Sequence, residues 1–209
     1  MTMSTTMPMF PLGTVLFPHA LLPLHVFEPR YRLMTQRVLG GDGEFGVVLI
    51  ERGSEVGGGD TRFGIGTVAR VVRAQELPDG GYALATVGMR RIRVNRWLAD
   101  DPYPQAEVAD LEEPASDADG PRRARALDAF AAVCDLHRRI DPRLPDMPEI
   151  DAAPARASYE IAALAPIGPL DAQRVLEVPN AGDRLELLAD LLDDHAHTLR
   201  AARPDDCDE

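Results

Sequence analysis

The sequence predicts an α+β protein: a closed or highly curved, mostly antiparallel β domain of six or seven short strands (a pseudo-barrel) with one early helix, followed by a C-terminal helical bundle. Three observations lead there. Short apolar segments, many alternating with a period of two and bounded by turn residues, fill the first half. The stretch Leu22–Met34 reads as a strand running straight into a helix. From Pro121 onward the apolar spacing changes to that of helices.

Taken in order, Met7 to Leu12 and Ala20 to Phe27 are extended, joined by a turn around Gly13 and Pro18. The second segment places Leu22, Leu24 and Val26 on one face and Leu21, Pro23, His25 and Phe27 on the other. Pro29 suits a first helical position, where its missing N–H costs nothing, and Glu28 precedes it at the positive end of the helix dipole. Tyr31, Met34 and Val38 recur at helical spacing until Gly40-Gly41 offers a stop. Phe45 to Ile50 is a continuous apolar run, as for a strand buried on both faces. Gly53 to Asp60 reads as a mobile loop, and Phe63 to Arg73 as a strand with Ile65, Thr67, Ala69 and Val71 on one side. Pro78-Asp79-Gly80-Gly81 is a turn, after which Tyr82–Met89, Arg91–Leu98 and Gln105–Leu111 read as strands. Strict alternation in the middle one puts Ile92, Val94 and Leu98 opposite Arg91, Arg93, Asn95 and Trp97. The domain plan is therefore a β-rich subdomain at 1–111, a linker at 112–120, a helical bundle at 121–200 and a disordered acidic tail at 201–209. Within the bundle, helices are expected at Pro121–Ile140, Ser158–Ala165, Pro169–Val178 and Asp183–Leu199, the last opened by an Asp183/Glu186 capping box.

Composition narrows the chemistry. All 22 basic residues are arginine, which removes phosphate-loop lysines, Schiff-base lysines and Ser–Lys dyads. Residues 1–110 carry a net charge of −1 and residues 111–209 carry −11. A polyanion would be repelled by the second half, so nucleic-acid binding is not expected. Met7 to Phe27 has no formally charged residue, but four prolines rule out a membrane-spanning helix there. Cys134 and Cys207 form no disulfide framework, and the expected compartment is the cytoplasm.

No motif carries an enzyme signature. Gly64-Ile-Gly-Thr-Val-Ala69 has dinucleotide-type glycines, yet they sit inside an alternating β run where glycine marks a bulge or bend. Asp193, Asp194, His195 and His197 gather potential metal ligands without a second group elsewhere. His19 and His25 could pair with Glu28 for acid–base work, but no nucleophile elbow accompanies them. Arg90, Arg91, Arg93 and Arg96 beside Trp97 form the one basic stretch, best read as a strand face paired with nearby acids. No metal and no cofactor are expected.

The residues Pro11–Met34, PLGTVLFPHALLPLHVFEPRYRLM, resemble the opening of the N-terminal substrate-binding domain of Lon proteases, a domain also found within cereblon. The resemblance continues through Arg90-Arg91-Ile92-Arg93-Val94 and, more weakly, through Ser158–Ala165, Leu170–Val175 and Arg184-Leu185-Glu186. It implies a six-stranded β domain with a helical half, working in recognition of unfolded or degron-bearing protein. With no Walker A motif, no lysine and no Ser–Lys dyad, it implies neither ATP hydrolysis nor proteolysis for these residues. The expected function is a non-enzymatic protein-interaction module that binds extended apolar peptide in a groove between the β half and the helical half. An ATP-dependent protease is a candidate collaborator. The expected contact residues are Phe10, Leu12, Phe17, His25, Phe27, Arg30, Tyr31, Arg91, Arg93 and Trp97. Two alternatives stand beside it: a small metal-dependent hydrolase built on His25/Glu28 or Asp194/His197, and a scaffold whose acidic helical face docks a basic partner.

Overall fold

A computed structural model describes residues 4–52, 61–114 and 120–201. The expected loop at Gly53–Asp60 and most of the acidic tail lie outside the described residues, as do residues 115–119 of the expected linker. The chain divides into two units, Met1–Glu112 and Glu113–Glu209.

In the first unit the strands are β1 (Thr5–Leu12), β2 (Leu21–Val26), β3 (Glu44–Arg52), β4 (Thr61–Glu76), β5 (Tyr82–Trp97) and β6 (Gln105–Asp110), with helix α1 (Pro29–Leu39) between β2 and β3. They form one mixed sheet in the order β2-β5-β4-β3-β1-β6, and β5 also pairs with β6. Strands β5, β4, β3, β1 and β6 thus form a ring, and β2 is appended to its seam. Every pairing is antiparallel except that of β1 with β3, which is parallel.

Side-chain alternation along β1 divides the core in two. Phe10 and Leu12 join Val26, Tyr31, Met34, Val38, Phe45 and Val47 under α1. Met7 and Met9 join Val48, Val68, Ile92, Ala106 and Val108 on the opposite face. Strand β3 feeds both clusters, as its continuous apolar run predicts.

The region expected as two strands, Tyr82–Met89 and Arg91–Leu98, is a single strand of 16 residues. What the sequence registers as a break is a bulge. Ala69 and Thr67 of β4 face Gly88 and Arg91 of β5, so β5 spends an extra residue there. Before the bulge β5 pairs with β2; after it, with β6. Gly88 sits at the handover, because a Cβ there would lie 2.1 Å from the Phe17 carbonyl oxygen. A second irregularity, between Val94 and Arg96, breaks the alternation again. Trp97 therefore packs with Ile92 and Val94 rather than standing opposite them with Arg91 and Arg93.

Helix α1 starts at Pro29 with Glu28 as its extended N-cap residue. In the second unit the helices are α2 (Gly120–Ile140), α3 (Pro154–Leu164), α4 (Pro169–Glu177) and α5 (Ala181–Ala201). Helix α5 begins earlier than expected. Asn180 is its cap, accepting the Asp183 N–H at 2.8 Å, while Glu186 turns to Arg122 instead of closing a box with Asp183. Leu185, Leu188 and Leu192 are fully buried with Phe130, Val133, Ile161 and Leu176.

Candidate functional site

The junction of β2 with α1 holds the densest set of aromatic contacts in the first unit. Pro29 starts the helix abruptly, so Tyr31 comes back over β1 and its ring stacks on Phe10 at 4.2 Å and 8°. Phe45 is tilted against Phe10, with the ring centroids 6.1 Å apart. Arg30 covers Tyr31 from outside, its guanidinium 4.6 Å from the ring centroid, and its Nε donates to Glu28 at 3.1 Å.

Beside this stack opens a pocket of about 180 Å³, lined by Phe10, Leu12, Pro23, Leu24, His25, Val26, Phe27, Glu28 and Tyr31. That is smaller than the roughly 300–1,000 Å³ typical of small-molecule sites, and suits single apolar side chains. Phe27 stands at the rim, 50% exposed, with its ring 5.9 Å from that of His25. Leu21, on the same strand, is 75% exposed. Large apolar side chains left in water beside an apolar pocket are the usual mark of a binding surface.

Of the residues expected to contact peptide, Phe10, Leu12, His25, Phe27 and Tyr31 line this pocket, and Arg30 stacks on the Tyr31 ring without lining it. The others are elsewhere. Phe17 is buried in the β1–β2 connection with its carbonyl against Gly88. Arg91, Arg93 and Trp97 are on the half of β5 that pairs with β6. Arg91 is buried, Arg93 is exposed, and Trp97 stacks under Arg62 at 4.6 Å. Pro23, Leu24, Val26 and Glu28 complete the pocket without having been expected as peptide contacts, although the alternation along Leu21–Phe27 already placed the first three on its two faces.

Other charged groups are engaged structurally. Burial opposes the charge on Arg90, yet hydrogen bonds to Glu44 and Asp110 outweigh it and raise the Arg90 pKa above its ordinary value. His19 has φ 68 and belongs to a tight turn, its N–H donating to the Gly88 carbonyl at 2.7 Å. The Glu28 carboxylate, a candidate partner for His25, accepts from Arg30. Asp190 and Asp193 both accept from Arg125, and Asp183 accepts from Arg122. His195 faces His137 with 3.3 Å between their Nε2 atoms. Among the described residues no three His, Cys, Asp or Glu side chains converge as a metal site, and no helix is long and apolar enough to cross a membrane.

Comparisons with known proteins agree with this architecture. The family model of the ATP-dependent protease La (LON) substrate-binding domain matches residues 6–194. The crystal structure of a Lon N-terminal domain protein from Xanthomonas campestris is similar with a TM-score of 0.67 and 28% identity, covering 88% of this chain and 96% of that one. The N-terminal domain of the Mycobacterium avium complex Lon protease shares the fold, with a TM-score of 0.62 at 19% identity over 91% of this chain and 100% of that one. Among full-length relatives, the Lon protease of Xanthomonas oryzae is 29% identical over 196 residues, 90% of this chain but 23% of the relative. That of Escherichia coli is 27% identical over 205 residues, 94% of this chain and 26% of the relative. The chain thus spans about a quarter of the length of the curated relatives it matches.

Proposed function

The chain belongs to the Lon substrate-binding domain family, and from that premise we propose that it recognises protein substrates by capturing unfolded or degron-bearing segments in an extended, apolar form. The observation that carries this reading is the pocket between β2 and α1, with Phe27 half exposed at its rim and Leu21, at the start of β2, three-quarters exposed. Apolar burial supplies about 25 cal/mol per Å². A few inserted side chains then reach micromolar affinity, near 8 kcal/mol, once the cost of ordering the peptide is deducted. Arg30 and Glu28 at the rim offer polar partners to the peptide backbone without fixing its sequence.

In this reading the protein is a recognition factor of protein quality control in the cytoplasm. It catalyses no reaction itself, and an ATP-dependent protease acts on what it binds. The test is fluorescence anisotropy with a labelled apolar peptide and, as control, a peptide of the same length made of Ser and Gly. Saturable micromolar binding of the first alone, weakened several-fold by Phe27→Ala, is the expected result. Equal binding of both peptides, or of neither up to millimolar concentration, would remove the reading.

A further inference from the structure

Strand β2 is last in the sheet order and pairs with β5 alone among the described residues. In an antiparallel ladder, alternate residues turn both backbone groups toward the neighbour and the residues between turn theirs away. The Gly88 N–H donates to the Ala20 carbonyl at 2.9 Å, and the Thr86 hydroxyl donates to the Leu22 carbonyl at 2.8 Å. Leu22, Leu24 and Val26 therefore face β5, and Leu21, Pro23 and His25 direct their backbone groups outward. The outward edge carries the N–H of Leu21 and of His25 and the carbonyls of all three residues. The pocket opens beside this edge, with Pro23, His25 and Phe27 in its wall.

We infer that β2 is a strand-addition site: an extended segment of a substrate protein hydrogen-bonds along Leu21–His25 and seats one apolar side chain in the adjoining pocket. The inference rests on the peptide-capture reading and specifies its substrate class, a segment with free backbone N–H and C=O groups on one edge. Main-chain hydrogen bonding gives affinity with little dependence on sequence, which suits a recogniser of many substrates.

Pro23 selects the occupant. If two copies paired edge to edge about a twofold axis at Pro23, the two prolines would face each other where each residue should donate an N–H, and neither can. A foreign strand brings its own N–H to the Pro23 carbonyl and pairs with Leu21 and His25 on either side. The proline thus removes two hydrogen bonds from a self-pair centred on it but one from a foreign strand, which still meets the Pro23 carbonyl.

The test uses the full chain and an eight-residue, end-capped peptide of alternating Leu and Thr. Two further versions carry N-methyl groups on all the Leu or on all the Thr residues. A one-residue slip would exchange the Leu and Thr faces, so register is fixed. One methylated version should lose about tenfold or more in affinity, because two or three hydrogen bonds are deleted, while the other binds like the parent. On adding the parent peptide, amide exchange should slow at Leu21 and His25 and stay unchanged at Leu22 and Leu24. Equal binding of all three versions, with Leu21 and His25 exchange unaltered, overturns strand addition and leaves peptide capture standing. Failure of the parent peptide to bind overturns the capture reading itself. Protection of Leu21 and His25 that grows with protein concentration in the absence of peptide assigns the edge to a second copy, and overturns the inference.

Discussion

Two arginines, Arg184 in the helical unit and Arg32 in the β unit, are held in opposite ways. In the helical unit Arg184 is fully buried, with hydrogen bonds on all three nitrogens: Nε to the Ser158 hydroxyl at 2.9 Å, Nη1 to the Val178 carbonyl at 3.0 Å, and Nη2 to Glu113. The guanidinium also lies 4.1 Å from the Tyr159 ring centroid, and the Tyr159 hydroxyl donates to the same Glu113 carboxylate at 2.6 Å. In the β unit Arg30 stays at a pocket rim, and the Arg32 Nε is buried with no hydrogen-bond partner among the described residues. The network around Arg184 is closed on every guanidinium nitrogen; in the β unit Phe27 and Leu21 stay exposed at the two ends of β2, a strand that pairs with β5 alone among the described residues. A closed network holds a fold together, whereas open valences are what a partner can fill.

The largest expected effect tests the closed side. Arg184→Met should destabilise the helical unit by about 3 kcal/mol, since it takes the cation from Glu113, which keeps only the Tyr159 hydroxyl, and removes the donor from the Ser158 hydroxyl oxygen and the Val178 carbonyl. Urea denaturation followed by circular dichroism checks this. Arg184→Lys should recover only part of the loss, because an ammonium lacks the planar fork that meets three acceptors and a ring at once. A neutral Arg184→Met would mean that apolar packing supports this unit as well as the charge does, and the contrast would fall.

In the β unit the most sensitive point is backbone. Gly88→Ala should cost about 3 kcal/mol, because the new methyl group meets the Phe17 carbonyl oxygen at 2.1 Å and neither strand can yield without losing the β2–β5 pairing. A lowered melting temperature with α2 and α5 amides still protected would place the damage in the sheet.

Much of this was legible in the sequence, and what was missed has specific causes. Pro29 after a β-type segment announced the strand-to-helix junction, and the run Phe45–Ile50 announced a strand buried on both faces. Alternation failed in β5 because bulges leave no compositional mark; counting by twos put Trp97 beside Arg91 when it packs with Ile92. The α5 cap was misplaced because Asp183 and Glu186 satisfy the box pattern as well as Asn180 and Asp183 do, and only the fold decides between them. Glu113 looked like linker composition, and nothing local reveals that a buried arginine 71 residues later is its partner. The pocket was half visible: Phe10, His25, Phe27 and Tyr31 could be grouped from the opening motif, but the pairing that leaves the odd-numbered edge of β2 open is tertiary information.

On the open side the effects should fall on binding and not on stability. Phe27 is half exposed, so Phe27→Ala should change the melting free energy by less than about 0.5 kcal/mol. It should weaken apolar-peptide affinity several-fold, through the area the ring no longer buries. Anisotropy titration and thermal unfolding of the same preparation separate the two. A variant that lost stability and binding together would show Phe27 to be core rather than rim.

The smallest expected effect lies where the helical unit holds an unfavourable pair of its own. Burial, and then the facing His137, lower the His195 pKa below its ordinary value. The unfolded chain therefore binds more protons than the folded one as pH falls through about 6.5, the usual histidine value. Stability contributed by neutral His195 is fully present above that pH and declines below it, levelling once pH passes under the folded pKa. Melting temperature measured from pH 7.5 to 5.5 should fall, and His195→Gln should flatten the fall without changing the value at pH 7.5 by much. A rise toward pH 5.5, or a slope untouched by the substitution, would mean that burial and the facing ring do not oppose the charge on His195.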